Sequence, residues 1–403
     1  MREKIYPLLF GGDINVYSVA RAFHEEYGIK STCYGKFASG PAYRSAIIDY
    51  RVCAENEAPE AFKKNVTEFA AEHSDGVVFV IGCGDSYVRL AAEAGEWLPE
   101  NCIAPYSSAD LISRITDKAE FYKLCGEYDI DFPETVVYSR EMGDSFDLPF
   151  DGPYICKPAD SVMYWEHPFP GNDKVFLQPD REKLQETLDR CYAGGYPGKM
   201  IIQERIPGDD SEMGVLTNYS DKNGKVKMMC LGHVLLEEHT PHGLGNHAVI
   251  MTETNKELCE KFRVLLETLG YTGFSNFDLK FDRRDGRYKA FEINCRQGRS
   301  NYYVTGAGYN IARYLVDDYI EDKDISFEIA DKPSLWRVVP KQVTRDYIRS
   351  EYHAEMERLE REGRVSNSLM YEPDRSLVRR VWLFHQLRNQ KKNFACWYHP
   401  AED

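Results

Sequence analysis

Phe274-Ser275-Asn276-Phe277-Asp278-Leu279-Lys280-Phe281 and Tyr288-Lys289-Ala290-Phe291-Glu292-Ile293-Asn294 are two alternating runs separated by a turn at Asp285-Gly286. That pattern predicts an antiparallel hairpin. Glu292 and Asn294 stand two residues apart and share one face of their strand, and Asp278 on the paired strand can lie opposite them. Two carboxylates and an amide on one sheet face are costly to bury unless a cation compensates them. Hard oxygen ligands of this kind suit Mg²⁺, which binds through one or two carboxylates together with nucleotide phosphates. Spacing alone is equally consistent with a polar hairpin on an exposed sheet face. Arg296, two residues beyond Asn294, adds a fixed cation on the same face, suited to charge that develops during phosphoryl or acyl transfer.

The rest of the chain bounds what this hairpin belongs to. At 403 residues it should hold two to four domains, taking roughly 100 to 200 residues for each. Hydrophobic residues at 43% and charged residues at 29% exclude a wholly disordered chain. The 50 basic and 65 acidic residues leave a formal charge of −15, which disfavours broad contact with a phosphate backbone. No nucleic-acid partner is expected. No window offers the roughly 18 uninterrupted apolar residues of a membrane span, and residues 1–12 have too short an apolar core for a secretory signal, so the expectation is a cytoplasmic protein. The 11 cysteines are odd in number and scattered, and are expected to be reduced and mostly buried. His239, His242 and His247 lie close together, but no Cys or acidic partner stands at a zinc-site spacing nearby, and zinc is not expected.

Upstream, Ile5–Phe10 reads as a strand, Gly11-Gly12-Asp13 as a turn and Asn15–Glu26 as a helix. Gly76–Ile81 runs likewise into Gly82-Cys83-Gly84-Asp85 and a helix through Ala92. Such units predict an open parallel α/β sheet over about the first 110 residues, with ligand groups at the carboxyl ends of its strands. The dinucleotide fingerprint and the Walker A motif are both missing, which argues against a nicotinamide dehydrogenase and means that any nucleotide site is built differently. From Asp117 the texture changes. A helix over Asp117–Tyr128 is followed by strands Val136–Tyr138, Tyr154–Lys157 and Met200–Arg205, then by antiparallel segments Gly214–Tyr219 and Lys225–Leu236. Beyond about Asp322 the chain is charged, with a helix predicted over Gln342–Glu362. Lys118 opens one helix, and Lys157 ends a strand just before Pro158. Taken alone, Lys157 reads as a snorkelling sheet-end residue; taken with Lys118, it completes a phosphate cradle.

In order, Asp117-Lys118 before a helix, Tyr154-Ile155-Cys156-Lys157-Pro158, Ile202-Gln203-Glu204-Arg205-Ile206-Pro207-Gly208, Asp278, and Phe291-Glu292-Ile293-Asn294-Cys295-Arg296 resemble the ATP-grasp superfamily over roughly residues 1–320. Within it, Gly11-Gly12-Asp13-Ile14-Asn15, Ile81-Gly82-Cys83-Gly84-Asp85 and Asn294-Cys295-Arg296-Gln297-Gly298-Arg299-Ser300-Asn301 look like the carboxylate–amine ligases related to D-aspartate ligase. The resemblance implies an α/β and α+β protein with the ATP-grasp fold. An N-terminal Rossmann-like pre-ATP-grasp domain would cover 1–113, ATP-grasp subdomains A and B would cover 114–206 and 207–325, and a mostly helical C-terminal extension 326–403.

The same resemblance implies ATP and Mg²⁺ as cofactors. Lys118, Lys157 and Ser161 would touch phosphates, and Gln203, Glu204, Arg205 and Ile206 would line the adenine. For the ribose acid, Asp209, Asp210 and Glu212 compete, and Glu212 is chosen because it directly precedes Met213-Gly214-Val215. Asp278, Glu292 and Asn294 would hold the metal, and Arg296 and Lys157 would be catalytic. Gly12, Asp13, Asn15, Arg299 and Ser300 are candidates for recognising the carboxylate substrate. One departure is Asp160-Ser161-Val162-Met163-Tyr164-Trp165, which stands where relatives often carry a small glycine-rich phosphate cover. The implied activity is an ATP-dependent, ADP-forming carboxylate–amine ligase working through an acyl phosphate, on an amino acid such as D-aspartate and the lysine amine of a peptidoglycan precursor. The alternatives are a ligase for another peptide or cofactor, or a non-catalytic nucleotide sensor. Expected partners are small-molecule carboxylate and amine substrates, with a homodimer among the expectations.

Overall fold

The computed structural model describes residues 3–241 and 243–399. Its first sheet is parallel and five-stranded: Lys4–Phe10 (β1), Ser31–Gly35 (β2), Ile48–Val52 (β3), Gly76–Gly82 (β4) and Cys102–Ile103 (β5) run in the order β3-β2-β1-β4-β5. Helices Ile14–Tyr27 (α1), Pro59–Glu72 (α2), Asp85–Ala92 (α3) and Ala109–Thr116 (α4) alternate with the strands. β1 is covered on both faces, and Leu8, Leu9 and Phe10 are fully buried. Strand order reverses between β1 and β4, so the ligand crevice of such a sheet falls at their carboxyl ends, where Gly11–Asp13 and Gly82–Asp85 lie. Gly11 has φ +138°, and a Cβ there would stand 2.8 Å from Val16 Cγ2, so the turn that delivers Asp13 needs glycine.

Asp117 caps the next helix, Lys118–Glu127 (α5), by accepting from the Glu120 amide at 3.0 Å. Strands Thr135–Tyr138 (β6) and Tyr154–Pro158 (β7), the short helix Ser161–Trp165 (α6), strand Phe176–Gln178 (β8), helix Arg181–Ala193 (α7) and strand Met200–Glu204 (β9) follow. The four strands form an antiparallel sheet in the order β6-β9-β7-β8, and its Cys156, Met200 and Ile202 pack with Leu184 and Leu188 of α7.

The third sheet has eight strands. Met213–Ser220 (β10), Val226–Glu237 (β11) and His247–Glu253 (β12) precede helix Lys256–Thr268 (α8), and Gly273–Asp282 (β13) and Arg287–Asn294 (β14) form the predicted hairpin. Helices Tyr302–Gly306 (α9) and Ile311–Tyr319 (α10) then pack with α1 in one core. The chain continues through Glu328–Ile329 (β15), Leu335–Arg337 (β16), helices Lys341–Tyr347 (α11) and His353–Arg361 (α12), Val365–Ser366 (β17) and the long helix Leu377–Trp397 (α13). The sheet order is β14-β13-β10-β11-β12-β16-β17, with β15 beside β11, so the segment after residue 326 is stitched into this sheet by three short strands.

The single helix predicted over Gln342–Glu362 is two. The backbone is extended at Ile348 and Arg349, with ψ of 142° and 138°. This break buries Ile348 and turns Arg349 onto Asp209 and Glu212, and those contacts outweigh the local helix preference. All 11 cysteines are free thiols, nine of them buried. Among the described residues no helix is long and apolar enough to cross a membrane.

Candidate active site

In the β13–β14 hairpin, Asp278 pairs directly with Glu292, and Asn276 with Asn294. Their side chains therefore stand on one face. Asn294 Nδ2 donates to Asp278 Oδ2 at 3.1 Å, and Asn276 Nδ2 donates to Asp278 Oδ1 at 3.2 Å. Burial and the carboxylate of Glu292 push the Asp278 carboxyl well above its ordinary range. Burial works against Glu292 too, but the ammonium groups of Lys118, Lys174 and Lys157 together hold it below the usual carboxylate value.

The cations come from three elements. Lys118 is the first residue of α5, where the helix dipole disfavours a positive charge, and its Nζ lies 3.4 Å from Glu292 Oε2. Lys157, at the end of β7, donates to the Tyr122 hydroxyl at 3.0 Å and sits over the Phe291 ring at 5.5 Å. Burial lowers its pKa to about 8, with Glu292 partly opposing. The Tyr122 hydroxyl is in turn 2.7 Å from the Phe291 carbonyl oxygen, so Lys157 is steered rather than snorkelling into water. Arg296 reaches across to the first domain, where Nε and Nη2 meet the two Asp85 carboxylate oxygens at 2.7 and 3.2 Å, and Nη2 also donates to Asn294 Oδ1 at 3.3 Å.

The segment chosen for the nucleotide is firmly built. The Gln203 side chain is buried and donates to Thr135 Oγ1 at 2.7 Å, while Glu204 accepts from the Glu134 amide at 3.1 Å and pairs with Arg284 at 2.7 Å. Lys280 Nζ donates to the carbonyls of Ile206 and Gly208, each at 3.0 Å, which shapes the backbone around Arg205. All three candidate ribose acids have partners within the chain. Asp209 pairs with Arg349 at 2.9 Å, Asp210 accepts from His239 and the Glu237 amide at 2.9 Å each, and Glu212 pairs with Arg349 at 3.1 Å and with Arg283. The side chain of Ser161 and the whole of His242 lie outside the described residues.

The candidates for the carboxylate substrate divide. Asp13 caps α1 by accepting from the Asn15 and Val16 amides at 3.0 and 3.5 Å, and with Arg299 it lines a cavity. Gly12 sits in the turn just before it. Asn15, by contrast, is fully engaged. Its Nδ2 donates to the carbonyls of Cys83 and Gln297, and its Oδ1 accepts from Asn301 at 2.8 Å, so it clamps the first domain to the segment after the hairpin. Ser300 is buried, with Oγ 3.4 Å from His247 Nδ1. Asp85, quoted above only as part of a strand-end motif, meets Arg296, and Tyr122, Asn276 and Lys174 join the site without having been singled out. Asn276 was readable in principle, being two residues before Asp278 on the same strand face.

No protein-family model matches the chain. It is 38% identical to D-aspartate ligase of Enterococcus faecium over 413 aligned positions, covering 99% of this chain and 98% of that protein. Among solved structures it resembles the L-amino acid ligase of Bacillus licheniformis, with a TM-score of 0.55 and 15% identity over 79% of this chain and 75% of that one. It also resembles an ADP complex of N5-carboxyaminoimidazole ribonucleotide synthetase, with a TM-score of 0.56 and 12% identity over 83% and 82% of the two chains. The hairpin carboxylates, the paired lysines and the full-length likeness agree, and the chain belongs to the ATP-grasp carboxylate–amine ligases, the family of D-aspartate ligase.

Proposed function

We propose that this ligase activates the side-chain carboxylate of an amino acid of the D-aspartate type as an acyl phosphate and passes it to an amine, that of a peptidoglycan-precursor lysine. The observation that carries the reading is the direct pairing of Asp278 with Glu292, ringed by Lys118, Lys157 and Arg296. Asp278, Glu292 and Asn294 all offer oxygen, and two like charges on one buried face favour a hard divalent cation, so the donor set fits Mg²⁺. When bound, MgATP supplies the phosphoryl group that turns a carboxylate oxygen into a leaving group.

The chain's own residues do the rest. Lys118 and Lys157 neutralise phosphate oxygens from two directions, and Tyr122 fixes the aim of Lys157. Arg296, its planar fork held by Asp85, faces the charge that grows on the activated carboxylate. The neutral amine attacks the carbonyl carbon, the carbon–oxygen bond to phosphate breaks, and the nitrogen gives up one proton to the departing phosphate as the amide forms. Domain limits of 1–113, 114–206, 207–325 and 326–403 are part of this reading.

The test mixes purified protein with ATP, Mg²⁺ and a panel of amino acids and amines, and follows ADP release and product mass. Amino-acid-stimulated ADP with an amide product is expected, and Glu292→Ala should remove it. A wild-type protein silent across the panel, or an unaffected Glu292→Ala, would sink the proposal.

A further inference from the structure

A cavity of about 340 Å³ is lined by Asp13 and Arg299, and α13 forms one of its walls. The other walls bring Asp13 from the first domain, and Glu238 and Arg299 from the third sheet and the segment after it. The helix is anchored near both ends. At its start, Arg379 pairs with Asp374 at 3.0 Å and donates to the Pro41 carbonyl, and Asp374 accepts from the Tyr17 and Ser45 hydroxyls at 2.8 Å each. Toward its end, Phe394 packs on Tyr347 with centroids 5.4 Å apart. Between these anchors, Trp382, Gln386, Gln390 and Asn393 follow one another at spacings of four, four and three, which is a single helix face, and all four line the cavity.

The charges on the walls are mixed. Arg299 Nη2 lies 3.4 Å from Glu238 Oε1, and Asp13 sits in the field of both Arg299 and Arg296. A cavity with one guanidinium, two carboxylates and three amides complements a small molecule carrying both a carboxylate and an ammonium. The Gln390 Oε1 atom is buried with no hydrogen-bond donor, so the helix itself presents an acceptor still to be satisfied. The volume is near the low end of ligand cavities, which run roughly from 300 to 1,000 Å³, and so favours a free amino acid over an extended peptide.

We infer that α13 is a specificity wall for the amino-acid substrate, with Arg299 taking its α-carboxylate, Asp13 and Glu238 its ammonium, and Gln386, Gln390 and Asn393 discriminating among amino acids. This rests on the ligase reading, naming the subsite that holds the acid before activation. It gives the segment after residue 326 a role in choosing substrate.

The experiment titrates D-aspartate into the intact protein with Mg²⁺ and ADP present, by calorimetry, and in parallel measures D-aspartate-dependent ADP release from ATP with a panel of amines, the peptidoglycan-precursor lysine included. Gln390→Leu and Gln386→Leu should each weaken D-aspartate binding at least tenfold and raise its KM, with the ADP affinity and the melting temperature held. Phe384→Ser, on the exposed side of the helix, should bind D-aspartate as the wild type does. L-aspartate and glycine serve as comparison ligands, and the Gln390 variant should narrow the gap between them and D-aspartate. If both glutamine variants keep the wild-type KM and affinity while ADP is released normally, the helix assignment is overturned and the ligase reading stands. If wild-type protein binds D-aspartate through these glutamines but releases no ADP with it, the subsite stands and the ligase reading falls.

Discussion

Arg296 and Asp85 lie 211 residues apart in sequence and meet as a two-pronged ion pair, Nε to Oδ1 at 2.7 Å and Nη2 to Oδ2 at 3.2 Å. The arginine that the ligase proposal assigns to the reacting carboxylate is thus aimed by the first sheet, from the strand end at which sheet order reverses. Replacing Arg296 by Ala should lower kcat roughly 10² to 10³-fold, the loss typical of a preorganised charge stabiliser. Asp85→Asn should cost less, about tenfold in kcat, because the fork loses its anchor but keeps its charge. Calorimetry with ADP should give both variants near-wild-type affinity, and a large loss of ADP binding would instead make Arg296 a nucleotide ligand.

Asp278 and Glu292 face each other without an intervening basic residue on their own strands. In the ligand-free protein their proximity is unfavourable, so Asp278→Asn should remove a like-charge repulsion and raise the melting temperature by a few degrees while abolishing turnover. Adding Mg²⁺ with ADP should stabilise the wild type further, and EDTA should reverse that gain. The variant should respond to neither. A destabilised Asp278→Asn protein would show that the carboxylate is a structural hydrogen-bond hub for Asn276 and Asn294 rather than a cation site.

Lys157 carries the clearest pH signature. Burial brings its pKa to about 8 in the free protein, and an anionic phosphate needs it protonated. Below pH 8 the proton is already present and ADP affinity should be nearly flat. Above pH 8 binding must draw a proton from solvent, so affinity should fall by up to about tenfold for each further unit. Calorimetric Kd values between pH 7 and 9.5 check this. Lys157→Met should bind weakly throughout and lose the slope.

Much of the candidate site's geometry was legible because its parts are local words. The hairpin announces itself by alternation and an Asp-Gly turn, and Lys118 by the Asp117 cap before it. Other parts are tertiary facts with no local mark. Strand β16 has three residues and β15 and β17 two each, too short for any periodicity, and their pairing is imposed by the neighbouring strands. The helix break at Arg349 exists because Asp209 and Glu212 wait there. Asn15 was a plausible substrate contact by type, yet its amide is consumed by Cys83, Gln297 and Asn301. Tyr122 is one turn of helix beyond Lys118, and only the approach of β7 makes that phenol the guide for Lys157.

Glu237 and His247 form a second buried couple, 3.6 Å apart, on the adjacent strands β11 and β12. Burial, then Asp210 and Asp278, raises Glu237 to about 8, and burial, then Arg299, lowers His247 to about 4. The signs oppose. A raised carboxyl keeps a proton that the unfolded chain releases, so its contribution to stability is lost as pH climbs from about 4.5 through 8. The lowered imidazole refuses a proton that the unfolded chain takes, so its contribution is lost as pH falls from about 6.5 through 4. Between about pH 4.5 and 6.5 the two slopes cancel, so thermal melts should show a broad maximum there and fall off on either side. Glu237→Gln should flatten the alkaline side, with an advantage over wild type at pH 8.5 on the order of a few kcal/mol. Equal alkaline slopes would mean that Glu237 ionises freely.

Arg349 ties the C-terminal segment to the third sheet through Glu212, which is 1% exposed and also paired with Arg283. Arg349→Ala should destabilise by about 1–3 kcal/mol, below the usual 3–5 for a broken buried pair, because Arg283 remains and Arg349 is partly exposed. The same pair tests the ribose assignment. If Glu212 accepts from a ribose hydroxyl, wild-type protein should prefer ATP to 2′-deoxy-ATP, and Glu212→Gln should weaken ATP while leaving 2′-deoxy-ATP nearly unchanged. Arg349→Ala, by freeing the Glu212 carboxylate to turn, should blunt that preference without abolishing it. Identical KM values for the two nucleotides in the wild type would assign Glu212 to the ion-pair cluster alone, whereas a wild-type preference that survives Glu212→Gln would pass the ribose to Asp209, whose variant Asp209→Asn is then the one to measure.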